Sequence, residues 1–367
     1  MQDPIRTTGW RGYTKHNWIQ NWCRQVQGKQ PAFACCFGFT ASALVPGISA
    51  AGATPTARRY TALADAEVLL RGYASHLPTS PDGYPSPVVI SRAIQQSLQL
   101  PTYLFDCGLP TSLAGLISVG NETADCLSTG RALSLATVQK LFLEGWIWGE
   151  KLSSTHPWIV IGECVAAGTS TALALLLGLG YAASNMVNSS HPVCNHAQKL
   201  ALVQQGLSSL PPRCHPLEVI AAVGDPMQPF VAGLAMRASQ SCPVLLAGGT
   251  QMLTVYALMH HLDLVEQKSW QPEQVVVGTT RWVAEDPSGN TVALAQLVGS
   301  PLMATRLSFQ TSRFPQLRAY EQGYVKEGVG AGGLAIAADL YVNWAQETLL
   351  QTIEQTYEQL LVFPEFR

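Results

Sequence analysis

The sequence predicts an α/β protein: a three-layer, mostly parallel, doubly wound sheet, with a small helical subdomain made from the two chain ends. Three observations carry this. The chain has 367 residues, 47% hydrophobic and only 13% charged, where globular proteins average about 25% charged. A chain of that length and composition buries one large α/β core or splits into two domains. Its apolar runs are continuous rather than alternating, as in strands buried on both faces. Each run ends in a turn of small residues followed by a helix-like segment, the pattern of βαβ crossovers.

The elements follow in order. Residues 1–30 are polar and tryptophan-bearing, and "MQDPIRTTGWRGYTKHNW" lacks the apolar region of a secretory signal. "AFACCFGFTASALVPGISAAG" and "PTYLFDCGLP" are strands with their turns; "ATPTARR" and "LPTSPDGYPSP" are loops rich in turn formers. "PWIVIGECVAAGTSTALALLLGLG" reads as strand, turn and helix. Trp158 to Ala183 carries one charge, but Gly162, Glu163 and Gly168 to Thr171 interrupt it. Its apolar remainder is shorter than the ~20 residues a membrane span requires, so it is a core helix. "VNSSHPVCNHAQ" is a loop. "LEVIAAVGDPMQPFVAGLAMRA", "CPVLLAGGTQMLTVYALMHHL" and "EQVVVGTTRW" extend the strand-and-turn series. After about Leu302 the pattern turns amphipathic, through "FPQLRAYEQGYV" and "AADLYVNWAQETLLQTIEQTYEQLL", which predicts helices beside the sheet. Residues 31–300 are thus expected to form a nucleotide-binding core, and 1–30 plus 301–367 a mainly helical subdomain.

The formal net charge is −2 and no Lys/Arg-rich run occurs, which argues against nucleic acid or an anionic membrane as partner. The nine cysteines are odd in number and include no CxxC pair; Cys35–Cys36 is vicinal within an apolar run. Reduced, buried thiols in a cytoplasmic protein are expected. High apolarity with low charge favours a homodimer.

In such sheets ligands bind beyond the carboxyl ends of the strands. There "GECVAAGTSTA" offers backbone N–H groups and the hydroxyls of Thr169, Ser170 and Thr171 at a helix start, a setting that suits a phosphate. The alternative is a tight turn with a Ser/Thr cap. It is neither a Walker loop nor GxGxxG, and the missing GxGxxG counts against a dehydrogenase. Glu163 would repel a phosphate and is better suited to hydrogen-bond a sugar hydroxyl. "VGDPMQ", with Gly224 and Asp225, and "AGGTQM", with Gly248, Gly249 and Thr250, take equivalent positions. Three such turns on one edge make a crevice of nucleotide size. His191, Cys194, His196 and Cys214 match no common zinc spacing and read as a polar loop. The one adjacent acidic pair, Glu285–Asp286 in "AEDPSGN", reads as a surface turn, so no metal clamp is evident. Near the C-terminus "VKEGVGAGGLAIAADL" sets a lone acid, Glu327, into a glycine-rich turn before an apolar helix starting at about Leu334.

As a set, "LVPGISAAGATP", "DGYPSPVVISRA", "GECVAAGTSTALA", "AVGDPMQPFVAG", "VLLAGGTQM", "TTRWVAEDPSGN" and "KEGVGAGG" resemble the nicotinate-nucleotide–dimethylbenzimidazole phosphoribosyltransferase family, in its archaeal and cyanobacterial branch. The resemblance spans about Phe33 to Ala338. It implies transfer of phosphoribose from nicotinate mononucleotide to an aromatic base, such as dimethylbenzimidazole or adenine, in cobamide biosynthesis, with neither metal nor cofactor. Glu327 would be the general base and Glu163 would sit near the ribose. Gly168, Thr169 and Ser170 would hold the 5′-phosphate. Gly224, Asp225, Gly248, Gly249, Thr250, Gly328 and Gly330 would line the crevice. Lys326 stands where relatives have glycine, and Ala166 and Ala167 where they are richer in glycine and proline. A Lys326 ammonium aimed at Glu327 would lower the acid's pKa. A binding relative that has lost or changed catalysis is the alternative.

Overall fold

The computed structural model of the protein describes residues 9–362 apart from His76, Pro212 and Lys268. In chain order its elements are β1 (Trp10–Gly12), α1 (His16–Val26), β2 (Ala32–Gly38), α2 (Thr61–Arg71), α3 (Val88–Ser97), β3 (Thr102–Gly108), β4 (Ile117–Ser118), α4 (Leu135–Ser153), β5 (Ile159–Cys164), α5 (Gly168–Gly178) and α6 (His196–Leu207). There follow α7 (Pro216–Val223), α8 (Met227–Ser239), β6 (Val244–Ala247), α9 (Thr250–Glu266), β7 (Val275–Thr280), α10 (Arg281–Ala284), α11 (Thr291–Leu297), β8 (Leu302–Thr305), α12 (Pro315–Arg318), α13 (Ala331–Val342) and α14 (Gln346–Val362).

The strands form one sheet in the order β1-β8-β7-β6-β5-β2-β3-β4. Every pairing is parallel except β1 with β8. The chain winds outward from β2 through β3 to β4, then returns to β5 on the other side of β2 and winds outward again. That reversal between β2 and β5 is a topological switch point, where the crossovers part and leave a crevice at the carboxyl ends.

The uninterrupted apolar strands face both ways, as expected of a buried parallel sheet. In β2, Ala34 and Cys36 pack with α4, α5, α7, α8 and α9, while Phe33, Cys35 and Phe37 pack with α1, α2, α3, α13 and α14. The three-layer α/β expectation therefore holds. On the first face α4 and α8 touch backbone to backbone. A Cβ on Gly145 would lie 2.1 Å from the Phe230 carbonyl oxygen, so only glycine permits this approach. Among the described residues no helix is long and apolar enough to cross a membrane.

The segments 1–30 and 301–367 supply α1, α12, α13 and α14, and they also supply β1 and β8 to the main sheet. Trp22 of α1 meets Trp158 edge to face at 5.6 Å and donates its indole N–H to the Gln274 carbonyl. Helix α1 is thereby seated on the same core.

One element differs in type. "LEVIAAV" is helix α7, not a strand. His215 accepts the Leu217 N–H through its ring, Glu218 accepts the His215 N–H at 2.9 Å, and Pro216 opens the first turn. This capping outweighs the modest strand preference of Val219 and Ile220.

Candidate active site

At the switch point lies a cleft of about 940 Å³, its solvent-facing mouth included. The turn after β5, the start of α9, the 325–329 loop, residues 188–190, 49–52 and the 78–87 loop enclose it. Two helices start at its wall, α5 at Gly168 and α9 at Thr250. At α5 the Gly168 and Ser170 N–H groups already meet the Val165 and Ala167 carbonyls; the remaining N–H groups and the helix dipoles favour an anion there.

Glu163 is the penultimate residue of β5 and is buried. Its Oε2 accepts the Gln251 amide at 2.6 Å. Burial, with the negative charges of Asp225 and Glu327, pushes its carboxyl up to about 8, against the pull of the Val165 N–H. The Gln251 amide reaches it only because position 168 is glycine: a Cβ there would lie 2.0 Å from Gln251 Nε2. Ala167, just before, takes left-handed φ of +63°, a conformation seldom seen outside glycine.

Glu327 sits opposite, with both oxygens held. Oε1 accepts the N–H groups of Gly328 and Gly332, each at 3.1 Å. Oε2 accepts the Thr279 hydroxyl at 3.0 Å and the Thr280 N–H at 2.8 Å. Burial raises the Glu327 pKa and these four donors oppose the rise; the net shift is upward. The loop around it is strained. Val325, Lys326 and Val329 have φ of +65°, +66° and +55°, which for a β-branched residue is a true outlier.

The Lys326 ammonium points away from Glu327. It is buried and donates to Asp286 Oδ2 at 2.5 Å. Asp286 also accepts the Asn188 amide and the Ser288 N–H and hydroxyl. Burial works to raise its pKa, but the Lys326 hydrogen bond and charge, with Ser288, hold it below the usual carboxylate value. The expected surface pair Glu285–Asp286 is thereby corrected. Asp286 is buried in an ion pair, while Glu285 faces out and accepts the Tyr13 hydroxyl at 2.6 Å. Two acids in succession alternate sides where the α10 turn ends, so one enters the interior.

Of the other predicted residues, Gly168, Thr169, Gly249, Thr250 and Gly328 line the cleft. Gly248 and Gly330 lie just behind the wall, Gly248 near Glu163 and Gly330 against Gly162. Ser170, in the first turn of α5, is fully buried and its hydroxyl has no hydrogen-bond partner. Gly224 and Asp225 stand elsewhere, between α7 and α8 rather than after a strand. Asp225 is fully buried, accepts the Thr171 hydroxyl at 2.6 Å and the Met227 N–H at 3.1 Å, and so ties α5 to α8. Burial pushes it up to about 6. The zinc candidates do not converge. His191 donates to the Gly47 carbonyl, His196 to the Ser288 carbonyl, and Cys214 turns to Pro211. Among the described residues no three metal-ligating side chains cluster.

Residues without a local sequence signal complete the wall. Asn188 donates its N–H to Thr250 Oγ1 at 3.0 Å. Behind the wall, Lys199 is fully buried and donates to the Asn188 carbonyl, and burial pushes its ammonium down to about 7. Asp65, from α2, is also part of the wall.

No family model matches the sequence. A UPF0284 protein of Cyanothece sp. is 58% identical over 356 residues, covering 94% of this chain and 95% of the relative. Another, from Gloeobacter violaceus, is 55% identical over 338 residues, covering 91% and 90%. The chain belongs to the UPF0284 family. A third UPF0284 protein, from Nostoc sp., is 51% identical over 381 residues, covering 96% and 99%. The fold is similar to that of CobT from Thermus thermophilus, with TM-score 0.64 and 16% identity over 95% of this chain and 92% of the other. A nicotinate-nucleotide–dimethylbenzimidazole phosphoribosyltransferase structure from the same organism gives TM-score 0.58 at 16% identity, over 94% and 90%. At that identity the likeness is one of fold.

Proposed function

We propose that this UPF0284 protein transfers phosphoribose from nicotinate mononucleotide to a heteroaromatic base. The observation that carries the reading is one cleft at the switch point holding two acids of raised pKa, Glu163 and Glu327, beside two helix N-termini. The α5 and α9 starts suit the 5′-phosphate, with Thr169 and Thr250 adding hydroxyls. Glu163 suits a ribose hydroxyl. The acceptor nitrogen bonds to C1′ as the bond from C1′ to the nicotinate nitrogen breaks, and that electron pair leaves with nicotinate. The acceptor's other ring N–H must then lose its proton, and Glu327 takes it. A pyridine leaves without a metal clamp, unlike diphosphate. A base whose pKa lies near the working pH contributes typically ~10²–10⁴-fold.

A second reading, a nucleotide-binding relative without turnover, is favoured by the four donors on Glu327, which hold it as a structural carboxylate. One assay separates the two. The protein is mixed with nicotinate mononucleotide and candidate bases, and nicotinate release is followed. Release with a base supports transfer. Saturable mononucleotide binding without release from any base supports the second reading.

A further inference from the structure

We propose that Asp65 is a specificity-determining residue of an acceptor subsite, taking an exocyclic N–H donor on the incoming heteroaromatic ring. The proposal rests on the phosphoribosyl-transfer reading and names the acceptor class for that site.

Asp65 lies on α2, only 1% exposed, yet in the cleft wall. Its Oδ2 accepts the Cys164 thiol at 3.2 Å and the Ser86 hydroxyl stands close to the carboxyl, while Oδ1 makes no hydrogen bond of good geometry. A buried carboxyl oxygen left unpaired costs free energy, and such a group calls for an explanation in function or in an absent ligand. Burial pushes the carboxyl up to about 7, against the pull of Ser86 and Cys164, so near neutral pH it holds a negative charge in part. Its surroundings in the wall suit a flat ring: Thr61 one helical turn away, Tyr84 and Pro87 from the loop before α3, and Cys164 at the end of β5. Gly328 packs toward Pro87, which brings the Glu327 loop against the same patch. A ring lying here has one edge toward Glu327 and another toward Asp65. Glu327 is assigned the proton lost on glycosylation. Asp65, with a free acceptor oxygen, matches a second donor elsewhere on the ring, such as an exocyclic amino group. A ring bearing only methyl groups at that edge leaves Oδ1 unpaired, and sites with a buried unpaired acceptor discriminate strongly against ligands lacking the donor.

Matched probes test this on the full chain. Adenine and purine differ only by the exocyclic amino group, as do 4-aminobenzimidazole and benzimidazole. Isothermal titration should show each amino compound binding the wild-type protein at least tenfold tighter than its partner. Asp65→Leu, which is branched at the same carbon but larger and carries no acceptor, should reduce that preference to under twofold. Asp65→Asn keeps an oxygen acceptor and should restore the preference in part. Equal wild-type affinities within either pair overturn the proposal, and so does a preference that survives in Asp65→Leu. The wild-type pairs decide even if Asp65→Leu does not fold. Nicotinate mononucleotide is titrated alongside. If it binds while the pairs are indistinguishable, only the Asp65 assignment fails; if it does not bind, the transfer reading itself fails.

Discussion

Replacing Lys326 with methionine tests whether the Glu327 loop hangs on a buried charge pair. Both side chains of the pair are 2% exposed, with Nζ and Oδ2 2.5 Å apart. Methionine keeps the length and apolar stem and bears the same penalty for φ of +66°, so the change isolates the charge. Removing one partner of a buried pair strands the other, at about 3–5 kcal/mol. Spread over a chain of this size, with about 2 cal/mol/K of unfolding entropy per residue, that lowers Tm by ~4–7 °C. Acid supplies a second signature. In the wild type, Asp286 has a folded pKa below its unfolded value, so its contribution is present above the unfolded pKa and lost as pH falls through the folded one. In Lys326→Met the Asn188 amide, Ser288 and the Cys194 thiol remain beside Asp286, the ammonium is gone, and the Asp286 pKa moves up. The deficit is then largest at neutral pH and shrinks on acidification, as the stranded carboxylate takes a proton. Urea unfolding at pH 7 and pH 5 measures both. Adding Asp286→Asn should recover most of the loss. A single variant within about 1 kcal/mol of wild type at pH 7, or a double variant less stable than the single, refutes the reasoning.

Three further outcomes are expected. Glu327→Gln should cut nicotinate release by ~10²-fold or more while mononucleotide binding persists; full turnover in a steady-state assay would remove Glu327 as the base. Three buried acids, Asp225, Asp65 and Glu163, are raised to about 6, 7 and 8. Groups whose folded pKa is raised stabilise fully below the unfolded value and less as pH rises through the folded one. Burial lowers the pKa of His156, His191, His260 and His261, which opposes the trend up to the unfolded histidine value. Tm should therefore fall most clearly above about pH 6.5, and Glu163→Gln should flatten that decline in a calorimetric pH series. Lys199, lowered to about 7, works the other way only above pH 7, where stability gains as the unfolded lysine also approaches deprotonation. In Gly332→Ala the new Cβ would fall 2.2 Å from the Thr279 carbonyl carbon and 2.5 Å from Glu327 Oε2. Overpacking of this kind costs ~1–3 kcal/mol, and a loss of turnover exceeding the loss of folded protein should accompany it.

Local features of the chain announced most of the fold and part of the site. Continuous apolar runs identify β2, β3, β5, β6 and β7, because burial on both faces leaves no other pattern. β1 and β4 span three residues or fewer, too short for periodicity to speak, and β8, at four, lies where the sequence turns amphipathic. Helix α7 hides because Val219 and Ile220 suit a strand, while the capping by His215 and Glu218 depends on side chains flanking the run. At the site, an acid among glycines draws attention to Glu327, and an acid before a small-residue turn to Glu163. Asp65 carries no such mark. Its partner, Cys164, lies 99 positions away in sequence, and nothing in "TALADAEVLL" distinguishes its buried acid from a solvated one. The same distance problem conceals the Lys326–Asp286 pair and places Asp225 outside the cleft.

The strain in the 325–330 loop bears on what that loop is for. Three non-glycine residues in left-handed backbone cost on the order of 1–3 kcal/mol each, and such residues persist only where the surroundings over-determine them. Here two of the three are fastened to different elements. The Lys326 side chain is locked to Asp286, and its carbonyl accepts the Thr280 hydroxyl at 2.6 Å. The Val329 N–H donates to the Glu163 carbonyl and its carbonyl accepts the Ser91 hydroxyl, both at 2.8 Å. Glycine at 326 or 329 would relieve the backbone but would remove the ammonium or the buried isopropyl group that anchors it. The side chains that create the strain are therefore the ones that hold the loop. Between them the carboxylate of Glu327 meets the end of β7 with all four of its donors in place. A loop whose only task was to connect α12 to α13 could relax into ordinary turns. One that must present a carboxylate at a fixed point, facing a second buried acid, cannot.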